Sequence, residues 1–362
     1  MTHSIICTNC QTEAQPLDWR CMTCGGILDF EKLPEFQADE IKIADASIWR
    51  YRHWLGLKQY VTLGEGMTPL VKTEINGYKI SAKLEYLNPT GSYKDRGTTT
   101  LMNHIAAYDV PEVIDDSSGN AGASLAAFAS ALGIPARIFV PADGAESKKA
   151  LIKAFGGTLE EIEGAQHAKT VACHQAAKTT TYASHAWSPF FLLGQITAGF
   201  EIWEQTLPDF PDAIVTPVGH GALFLGISRA FQLLKNAGLI HRVPKMFAVQ
   251  SERIDPVVQG FESDVEIPPR VDETERTVAD GIMVNQPVRG KEILATLRNT
   301  GGAAIRVDEE SILQARTALA KRGLIVEHTS AVTAAALPQI MPHLDDGAHV
   351  VCCLTGNGLK KI

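Results

Sequence analysis

Lys94 has the most distinctive chemical setting in the sequence, because it lies within Asn-Pro-Thr-Gly-Ser-Tyr-Lys-Asp-Arg-Gly at residues 88–97. The Asn-Pro pair and the following glycine predict a turn. Ser92 then has the position of an N-cap, with Asp95 three residues later, so Lys94 falls in the first turn of a predicted helix. Free backbone N–H groups and the helix dipole create a positive potential there, which favours the neutral amine that condenses with aldehydes. Lys94 is therefore a candidate catalytic residue, and a solvated surface lysine is the alternative.

Two other segments place backbone N–H groups at the start of a predicted helix, where anions bind. Residues 116–121, Asp-Ser-Ser-Gly-Asn-Ala, suit a carboxylate, with an ordinary capped helix as the alternative. Residues 219–223 follow an apolar strand, and their glycines let the backbone approach an anion closely. The G-x-G-x-x-G spacing of dinucleotide-binding loops is absent from this second segment. The candidate residues of the two segments are Ser117, Ser118, Gly119, Asn120, Ala121, Gly219, His220, Gly221, Ala222 and Leu223.

Four of the seven cysteines form two C-x2-C pairs separated by ten residues, and they are Cys7, Cys10, Cys21 and Cys24. Such pairs present four thiolates to one tetrahedral Zn²⁺, so we predict a zinc-ribbon-like segment over residues 1–30 that folds as a small cap. An empty or degenerate ribbon is the alternative, whereas disulfides are disfavoured in a cytosolic chain. The local charge is not basic, which argues against contact with nucleic acid. The other cysteines are expected to be buried apolar residues, and they are Cys173, Cys352 and Cys353.

The gross composition limits the function further. The chain has 362 residues, 45% hydrophobic residues and a formal net charge of −8. This length can bury a large core, which we expect to be divided between two domains. The negative net charge argues against general binding to nucleic acid or to a membrane surface. Residues 1–7 lack the pattern of a signal peptide, and no apolar run is long enough to cross a bilayer. We therefore expect a soluble, cytoplasmic protein.

Strands and helices alternate along most of the chain, which predicts an α/β fold with parallel sheets covered on both faces. The predicted strands are Lys79–Leu84, Val113–Asp116, Ala136–Pro141, Thr158–Ile162, Tyr182–Ala183, Ala213–Pro217, Lys245–Gln250, Ala303–Val307, Ile325–Val326 and His349–Leu354. The helices predicted after the Lys94 turn are Ala121–Leu132, Ser147–Phe155, Ala165–Lys178, Gly194–Gln205, Ala222–Ala237, Glu309–Arg322 and Ser330–Leu337.

Two regions outside this alternation carry separate predictions. Residues 47–60 are predicted to be helical, with Trp49, Tyr51 and Trp54 available to pack on a neighbouring element or on a second subunit. Residues 255–277 are dense in proline and acidic residues, so we expect them to form a flexible surface excursion.

Five segments occur in the order that the tryptophan-synthase-β superfamily of pyridoxal-phosphate (PLP) enzymes requires, and the chain most closely resembles the threonine synthases within it. The segments are residues 88–97, 117–120, 217–221, 326–331 and 354–358. The resemblance implies fold type II, in which two parallel-sheet lobes hold the cofactor in the cleft between them. It also implies an amino-acid substrate and a homodimer. We accordingly divide the chain into a large PLP-binding domain, residues 31–92 and 205–362, and a small mobile domain, residues 93–204.

The resemblance assigns roles to individual residues. Lys94 would bind the cofactor and move protons, and Asn120 would contact the phenolic oxygen of the cofactor. The loop at residues 117–121 would hold the substrate carboxylate. Thr355 would hydrogen-bond the pyridine nitrogen and leave it largely neutral, which suits elimination at the β or γ carbon. Glu327 is expected to be a buried residue that supports the site from behind.

The sequence also departs from the resemblance. The loop at residues 219–223 would bind the cofactor phosphate through its backbone, although Ala222 and His220 replace a frequent glycine and a frequent asparagine. Phe191 lies where threonine synthases commonly carry an arginine that recognises the substrate phosphate, and a phenyl ring removes that bidentate donor. Either the substrate is not phosphorylated or another cation takes the role. The candidate cations are Lys148, Lys149 and Lys153.

Three hypotheses about function follow. A lyase of the threonine-synthase type, which converts O-phosphohomoserine and water to threonine and phosphate, is favoured by the zinc-ribbon-like start and by Thr355. A serine/threonine ammonia-lyase, or another β-elimination or β-replacement enzyme acting on a non-phosphorylated amino acid, is favoured by Phe191. A non-catalytic scaffold is least favoured, because the positions expected for the cofactor, including Lys94, are all filled.

Overall fold

The computed structural model describes residues 4–144, 146–164, 166–272 and 275–361. The start of the helix predicted at Ala165 lies outside these residues. So do the first three residues of the predicted zinc-ribbon-like segment and two residues, 273–274, of the predicted surface excursion. Within the described residues, no helix is both long enough and apolar enough to cross a membrane.

The regular elements of the described residues alternate as the sequence predicts. The strands are β1 (Ile5–Cys7), β2 (Leu28–Phe30), β3 (Leu70–Ile75), β4 (Tyr78–Lys83), β5 (Val113–Asp115), β6 (Ala136–Pro141), β7 (Thr158–Ile162), β8 (Thr181–Tyr182), β9 (Ala213–Pro217), β10 (Lys245–Ser251), β11 (Ala303–Val307) and β12 (Val350–Cys353). The α-helices are α1 (Arg52–Leu55), α2 (Lys94–Ile105), α3 (Asn120–Ala131), α4 (Glu146–Ala154), α5 (Gln166–Ala176), α6 (Pro189–Thr206), α7 (Ala222–Asn236), α8 (Pro256–Glu262), α9 (Gly290–Thr300), α10 (Glu309–Lys321), α11 (His328–Ala335) and α12 (Leu337–Ile340).

The chain folds into two compact units. The first unit comprises residues 1–66 and 88–194, and the second comprises residues 67–87 and 195–362. The division into a large cofactor-binding domain and a small mobile domain stays a prediction.

The first unit contains a four-stranded parallel sheet in the order β7-β6-β5-β8. Helix α3 is built almost entirely from small residues, which lets it lie close to the chain that precedes it. A Cβ atom on Gly122 would stand only 1.9 Å from the carbonyl oxygen of Ser117, so this contact requires glycine. The start of α3 is thereby fixed against the 117–121 loop. Residues 5–7 and 28–30 form a separate antiparallel pair at the N-terminal end of this unit.

The second unit contains a six-stranded sheet in the order β11-β10-β9-β12-β4-β3, in which only β3 runs antiparallel to its neighbour among the described strands. Strands β9 and β12 are buried along their whole length. Parallel strands covered on both faces have this uninterrupted apolar character. Cys352 and Cys353 of β12 are fully buried, and so is Cys173 of the first unit, which confirms the prediction that these cysteines are core residues.

A fully buried ion pair ties β4 to α6 in the second unit. The ammonium of Lys83 lies 2.8 Å from the Glu201 carboxylate, and neither side chain has any exposure to solvent. The same ammonium donates to the carbonyl oxygen of Thr68 at 2.7 Å and to Oε1 of Gln205 at 2.9 Å. Glu201 also accepts from the backbone N–H of Met67. Because every donor of the ammonium has a partner, the charge is tolerated in the core.

Of the two predicted roles of the aromatic residues at 47–60, the structure shows packing on neighbouring elements of the same chain and not availability to a second subunit. Trp49, Tyr51 and Trp54 are at most 4% exposed within the chain itself. The indole N–H of Trp49 donates to the buried carboxylate of Glu65, an internal partner sixteen residues away. The helical stretch is also shorter than predicted, because a 3-10 turn at Ile48–Tyr51 leads into α1, which ends at Gly56 with φ of +61°.

Two further predictions need correction. Residues 255–277 are not simply a surface excursion, since they include α8, whose Pro256, Val257 and Val258 are buried. Proline in the first helical turn starts this helix. The helix was missed because the acidic residues of this stretch favoured the prediction of a surface excursion. Residues 325–326 form no strand; Val326 makes only an isolated bridge to Asn357. Strand β3 and helix α9 were not predicted.

Candidate active site

The turn before α2 is closed by Asp95 and not by Ser92. Helix α2 begins at Lys94, and Tyr93 at its N-cap makes no capping hydrogen bond with its side chain. The predicted capping role of Ser92 is therefore wrong, and its buried hydroxyl has no hydrogen-bond partner among the described residues. The Asp95 carboxylate instead accepts from the Thr90 amide at 2.7 Å, from the Thr90 hydroxyl at 2.6 Å and from the Ser124 hydroxyl at 2.6 Å.

Asp95 gives the first unit a specific pH dependence. Burial raises the pKa of its carboxyl to about 6, above the usual value near 4 of an unfolded chain. The folded state therefore binds this proton more tightly, so the stabilising effect of protonation is fully present below pH 4 and is lost as the pH rises through 6. Between pH 7 and pH 5 the free energy of unfolding is expected to gain about 1 kcal/mol from this group. Urea unfolding at both pH values measures the gain, and the Asp95→Asn variant should lack it; an equal gain in both proteins contradicts the assignment.

The amine of Lys94 lies among aromatic rings. Its Nζ is 4.7 Å from the centroid of the Tyr93 ring and 5.6 Å from that of Phe191. Phe191 is 1% exposed, and its ring lies 6.1 Å from the ring of His185. His185 in turn is held by Asp115, whose two carboxylate oxygens are each 3.2 Å from Nδ1. The structure thus brings Phe191 to the candidate catalytic lysine, and it adds a His–Asp pair that sequence reasoning missed.

The loop at residues 117–121 is anchored by the residue before it. Asp116 accepts from the hydroxyls of Thr170 and Tyr182, at 2.6 and 2.8 Å. Burial alone would raise the pKa of Asp116, but Lys169, His185 and these hydrogen bonds hold it below its usual value. Helix α3 then starts at Asn120, and Gly119 at its N-cap makes no side-chain capping bond. A Cβ atom on Gly119 would meet no atom within 4 Å, so there is open space beside the loop. An anion such as a carboxylate fits this helix start.

In the second unit, the loop at residues 219–223 joins β9 to α7. Gly221 is the N-cap, with φ of +83°, and a Cβ atom there would lie 2.4 Å from Cδ1 of Ile293. Gly219 is similarly restricted, since its Cβ would lie 3.1 Å from Cγ2 of Val284. Because the N-cap is a glycine, it has no side chain that could cap this helix start. The backbone N–H groups of the first turn therefore suit a phosphate group, as the sequence predicts.

Thr355 follows β12 and is oriented by Ser330. The Ser330 hydroxyl oxygen accepts from the amides of Thr355 and Gly356, at 3.0 and 2.8 Å, and lies 3.1 Å from the Thr355 hydroxyl. Both side chains are buried. Sequence reasoning noted Ser330 only as part of a segment and missed this supporting role. Glu327, at the start of α11, is 7% exposed as predicted, and its carboxylate lies 3.4 Å from Nζ of Lys360.

Of the three candidate cations for a substrate phosphate, Lys149 already has other partners. Lys149 donates to the Ala142 carbonyl and to Glu161, and lies 3.2 Å from Glu146. Two carboxylates already neutralise this ammonium, which argues against a role in binding a dianion. Lys153 is exposed. The side chain of Lys148 lies outside the described part of the chain.

These residues fit the chemistry of pyridoxal phosphate. The first unit offers a primary amine among aromatic rings, and the second offers a glycine-bearing helix start for a phosphate and a buried hydroxyl. A family model described as pyridoxal-phosphate dependent enzyme matches residues 61–356. The chain belongs to this family. The predicted PLP-dependent enzyme is thus confirmed, and the enzyme's lyase chemistry is consistent with its relatives.

Two of those relatives are archaeal threonine synthases. The one from Methanocaldococcus jannaschii is 32% identical, with 93% of this chain and 87% of the relative covered. The one from Methanosarcina acetivorans is also 32% identical, covering 99% of this chain and 92% of the relative. Among solved structures, that of a T.th. threonine deaminase matches this PLP enzyme with a TM-score of 0.69 and 27% identity, over 80% of this chain and 92% of that one. The predicted α/β fold of PLP fold type II is confirmed. The differing activities of these relatives leave the substrate to be argued.

The four cysteines of the N-terminal segment converge. The sulfur atoms of Cys7, Cys10, Cys21 and Cys24 all lie within 4.8 Å of one another. Two sulfur pairs are 3.5 Å apart, far longer than a disulfide bond, which is about 2.05 Å. A Cβ atom on Gly26 would lie 3.0 and 3.1 Å from two of these sulfurs, so glycine leaves room beside the cluster. Four converging thiols are the donor set of a structural zinc site.

Proposed function

We propose that this PLP enzyme is a threonine synthase, which converts O-phosphohomoserine and water to threonine and phosphate. The observation that carries the proposal is the similarity to threonine synthases along nearly the whole chain, 93% and 99% of it for the two archaeal enzymes. The runner-up is a serine/threonine ammonia-lyase or a related enzyme acting on a non-phosphorylated amino acid. The buried Phe191 beside Lys94 favours it, because a phenyl ring cannot bind a phosphate dianion.

We further propose which residues hold the cofactor. Lys94 binds its aldehyde carbon, and Asn120 contacts its phenolic oxygen. The backbone of the 219–223 loop, including Gly219, His220, Gly221, Ala222 and Leu223, binds its phosphate. Thr355 donates a hydrogen bond to its pyridine nitrogen. When bound, the cofactor supplies an electron sink for the electrons of a broken bond at the α carbon.

The protein's own contributions follow from the geometry in each unit. The 117–121 loop binds the substrate carboxylate through the start of α3, because the N-cap Gly119 leaves open space beside this helix start. The amine of Lys94 lies beside the rings of Tyr93 and Phe191 on a half-buried side chain, and it can hold or release the proton of the α or β carbon. Ser330 orients Thr355 through hydrogen bonds, and the neutral hydroxyl of Thr355, in place of a carboxylate, would be the partner of the pyridine nitrogen. A neutral ring favours elimination over transamination.

A product assay separates the two functions. Purified protein with added pyridoxal phosphate is incubated with O-phospho-L-homoserine, and separately with L-threonine and L-serine. Release of phosphate together with threonine supports threonine synthase. Keto acid and ammonia from threonine or serine, with phosphohomoserine unchanged, assign the chain to the ammonia-lyases. A colourless protein that binds no cofactor would return the scaffold hypothesis.

We also propose that Cys7, Cys10, Cys21 and Cys24 bind one structural zinc ion. The purified chain is expected to contain about one zinc per chain, as a closed four-thiolate site does. The Cys10→Ser variant should lose most of this zinc, because three thiolates hold the ion far less tightly. Metal analysis after dialysis measures the content, and Cys352→Ala, which removes a buried thiol outside the cluster, is the control. Equal zinc in all three proteins argues against the site.

The remaining predictions concern the substrate class, the oligomeric state and the cellular location. An amino-acid substrate agrees with the family, while a homodimer and a cytoplasmic location stay predictions. Sedimentation of the purified protein tests the homodimer, and the burial of Trp49, Tyr51 and Trp54 means that its interface must lie elsewhere.

A further inference from the structure

The zinc-ribbon-like segment makes an aromatic contact with the body of the first unit. Trp19 lies between the two cysteine pairs and is 8% exposed. Its ring centroid lies 4.6 Å from that of His174, 5.1 Å from that of Tyr182 and 5.3 Å from that of Trp187. The guanidinium of Arg20 lies 4.5 Å from the same ring. A ribbon that served only as an independent cap would not need to bury its tryptophan in this way.

A second contact joins the ribbon to the same stretch of chain. Phe30 of β2 packs edge-on against Phe190, with 5.2 Å between ring centroids. The ring of His104 stacks on Phe190 at 3.5 Å, and Nε2 of His104 lies 2.7 Å from the carbonyl oxygen of Pro16 in the ribbon. The ribbon therefore touches residues 182–191 near both ends, at Tyr182 and at Phe190.

Residues 182–191, here called the bridging segment, lead from the ribbon to the candidate active site. At one end, the Tyr182 hydroxyl donates to Asp116, the residue that precedes the carboxylate-binding loop. At the other end, Phe191 lies 5.6 Å from the amine of Lys94. In the middle, His185 is held by the buried carboxylate of Asp115. Every one of these contacts lies within the first unit.

We propose that the ribbon is a positioning element of the active site, in which Trp19 and Phe30 hold the bridging segment in place. Trp19 acts through Tyr182 and Asp116 on the 117–121 loop. Phe30 acts through Phe190 on its neighbour Phe191, whose ring lies beside the amine of Lys94. Small displacements of such supporting residues change rates strongly, since reacting groups must be held within fractions of an ångström. The proposal rests on the proposed function only in taking Lys94 and the 117–121 loop as parts of the site.

The test compares Trp19→Ala and Trp19→Phe with wild type, and uses Met22→Ala as the control. Met22 belongs to the same ribbon but is 75% exposed. Hydrogen exchange is followed in peptides covering residues 182–193 and 114–121, and zinc and cofactor contents are measured on the same samples. Trp19→Ala is expected to keep its zinc and cofactor but to exchange about tenfold faster in both peptides, because a buried aromatic contact is lost. Trp19→Phe should restore most of the protection, and Met22→Ala should match wild type.

Kinetics add a readout that a general loss of stability does not produce. Because the 117–121 loop binds the substrate carboxylate, KM of Trp19→Ala is expected to rise about tenfold while kcat falls much less. Tyr182→Phe, which removes only the hydroxyl bonded to Asp116, should raise KM in the same way without changing zinc content. Unchanged exchange and unchanged KM in these variants would overturn the proposal.

The test can still reject the positioning role if Trp19→Ala does not fold or if wild type is inactive. If Trp19→Ala does not fold, Trp19→Phe and Phe30→Leu replace it, and wild-type exchange of residues 182–193 in both rejects the positioning role. If wild type is inert with phosphohomoserine, the proposed function fails, but the positioning role remains testable. Exchange rates need no substrate, and the affinity for L-serine can be read from the change in cofactor absorbance.

Discussion

Lys94→Ala is expected to lower turnover of phosphohomoserine at least about a thousandfold while leaving the chain folded. The variant lacks the primary amine that we propose condenses with the cofactor and moves protons at the substrate. The turn around Lys94 should survive, because Asp95 and its bonds to Thr90 and Ser124 close it. Phosphate and threonine release measure the activity, the visible absorbance band reports the cofactor bond, and circular dichroism reports the fold.

Two further lysine variants separate the amine from its charge. Lys94→Arg keeps the positive charge but cannot condense with an aldehyde, so it should be as inactive as Lys94→Ala. Lys321→Ala removes an exposed lysine at the end of α10 and is expected to keep wild-type activity. If Lys94→Ala retains more than about a tenth of wild-type turnover, Lys94 is not the catalytic lysine.

Gly194→Ala is expected to destabilise the protein by at least about 3 kcal/mol, or to prevent folding. Gly194 lies in α6 where that helix crosses α2. A Cβ atom there would stand 1.8 Å from the carbonyl oxygen of Arg96 and 2.5 Å from the hydroxyl of Thr100. One of these obstacles is backbone, so a change of rotamer cannot relieve the overlap. Because Arg96 lies two residues after Lys94, any accommodation would also displace the proposed catalytic lysine.

Urea unfolding of Gly194→Ala, followed by circular dichroism, measures the loss. Gln314→Ala, on the exposed face of α10, is the control and should change the free energy of unfolding by less than about 0.5 kcal/mol. A loss below about 1 kcal/mol in Gly194→Ala means that the two helices can separate without strain, contrary to the close packing described.

The sequence predicted those strands best whose pattern is entirely local. Ala136–Pro141, Thr158–Ile162, Ala213–Pro217 and Ala303–Val307 have the predicted bounds in the structure. Each is a short segment that contains apolar or β-branched residues and is flanked by turn residues, so no distant residue decides its limits. Strand β3 escaped prediction because it is a half-exposed edge strand, in which the apolar signal is weak.

The misassigned residues are those whose partners lie far along the chain. Ser92 has the local sequence of an N-cap, with Asp95 three residues later. The Asp95 carboxylate instead accepts a hydrogen bond from Ser124, a contact that no local pattern reveals. For Trp49 the sequence left open whether it packs within the chain or on a second subunit, and Glu65, which accepts its N–H in the core, decides for the chain itself. The glycine loop and the cysteine cluster could be identified because the spacing of their residues along the sequence is enough to indicate their chemistry. The His185–Asp115 pair has no such spacing, and only the parallel sheet brings it together.

The buried pair of Lys83 and Glu201 restricts how this sequence can drift over generations. Losing either partner alone leaves an uncompensated charge in the core, at a cost of about 3–5 kcal/mol, whereas replacing both by apolar residues is close to neutral. The intermediate between the two viable combinations is therefore nearly inaccessible to single substitutions. Among descendants of a common ancestor, the two positions should consequently be inherited as a unit, with a lysine at one predicting a carboxylate at the other although 118 positions separate them.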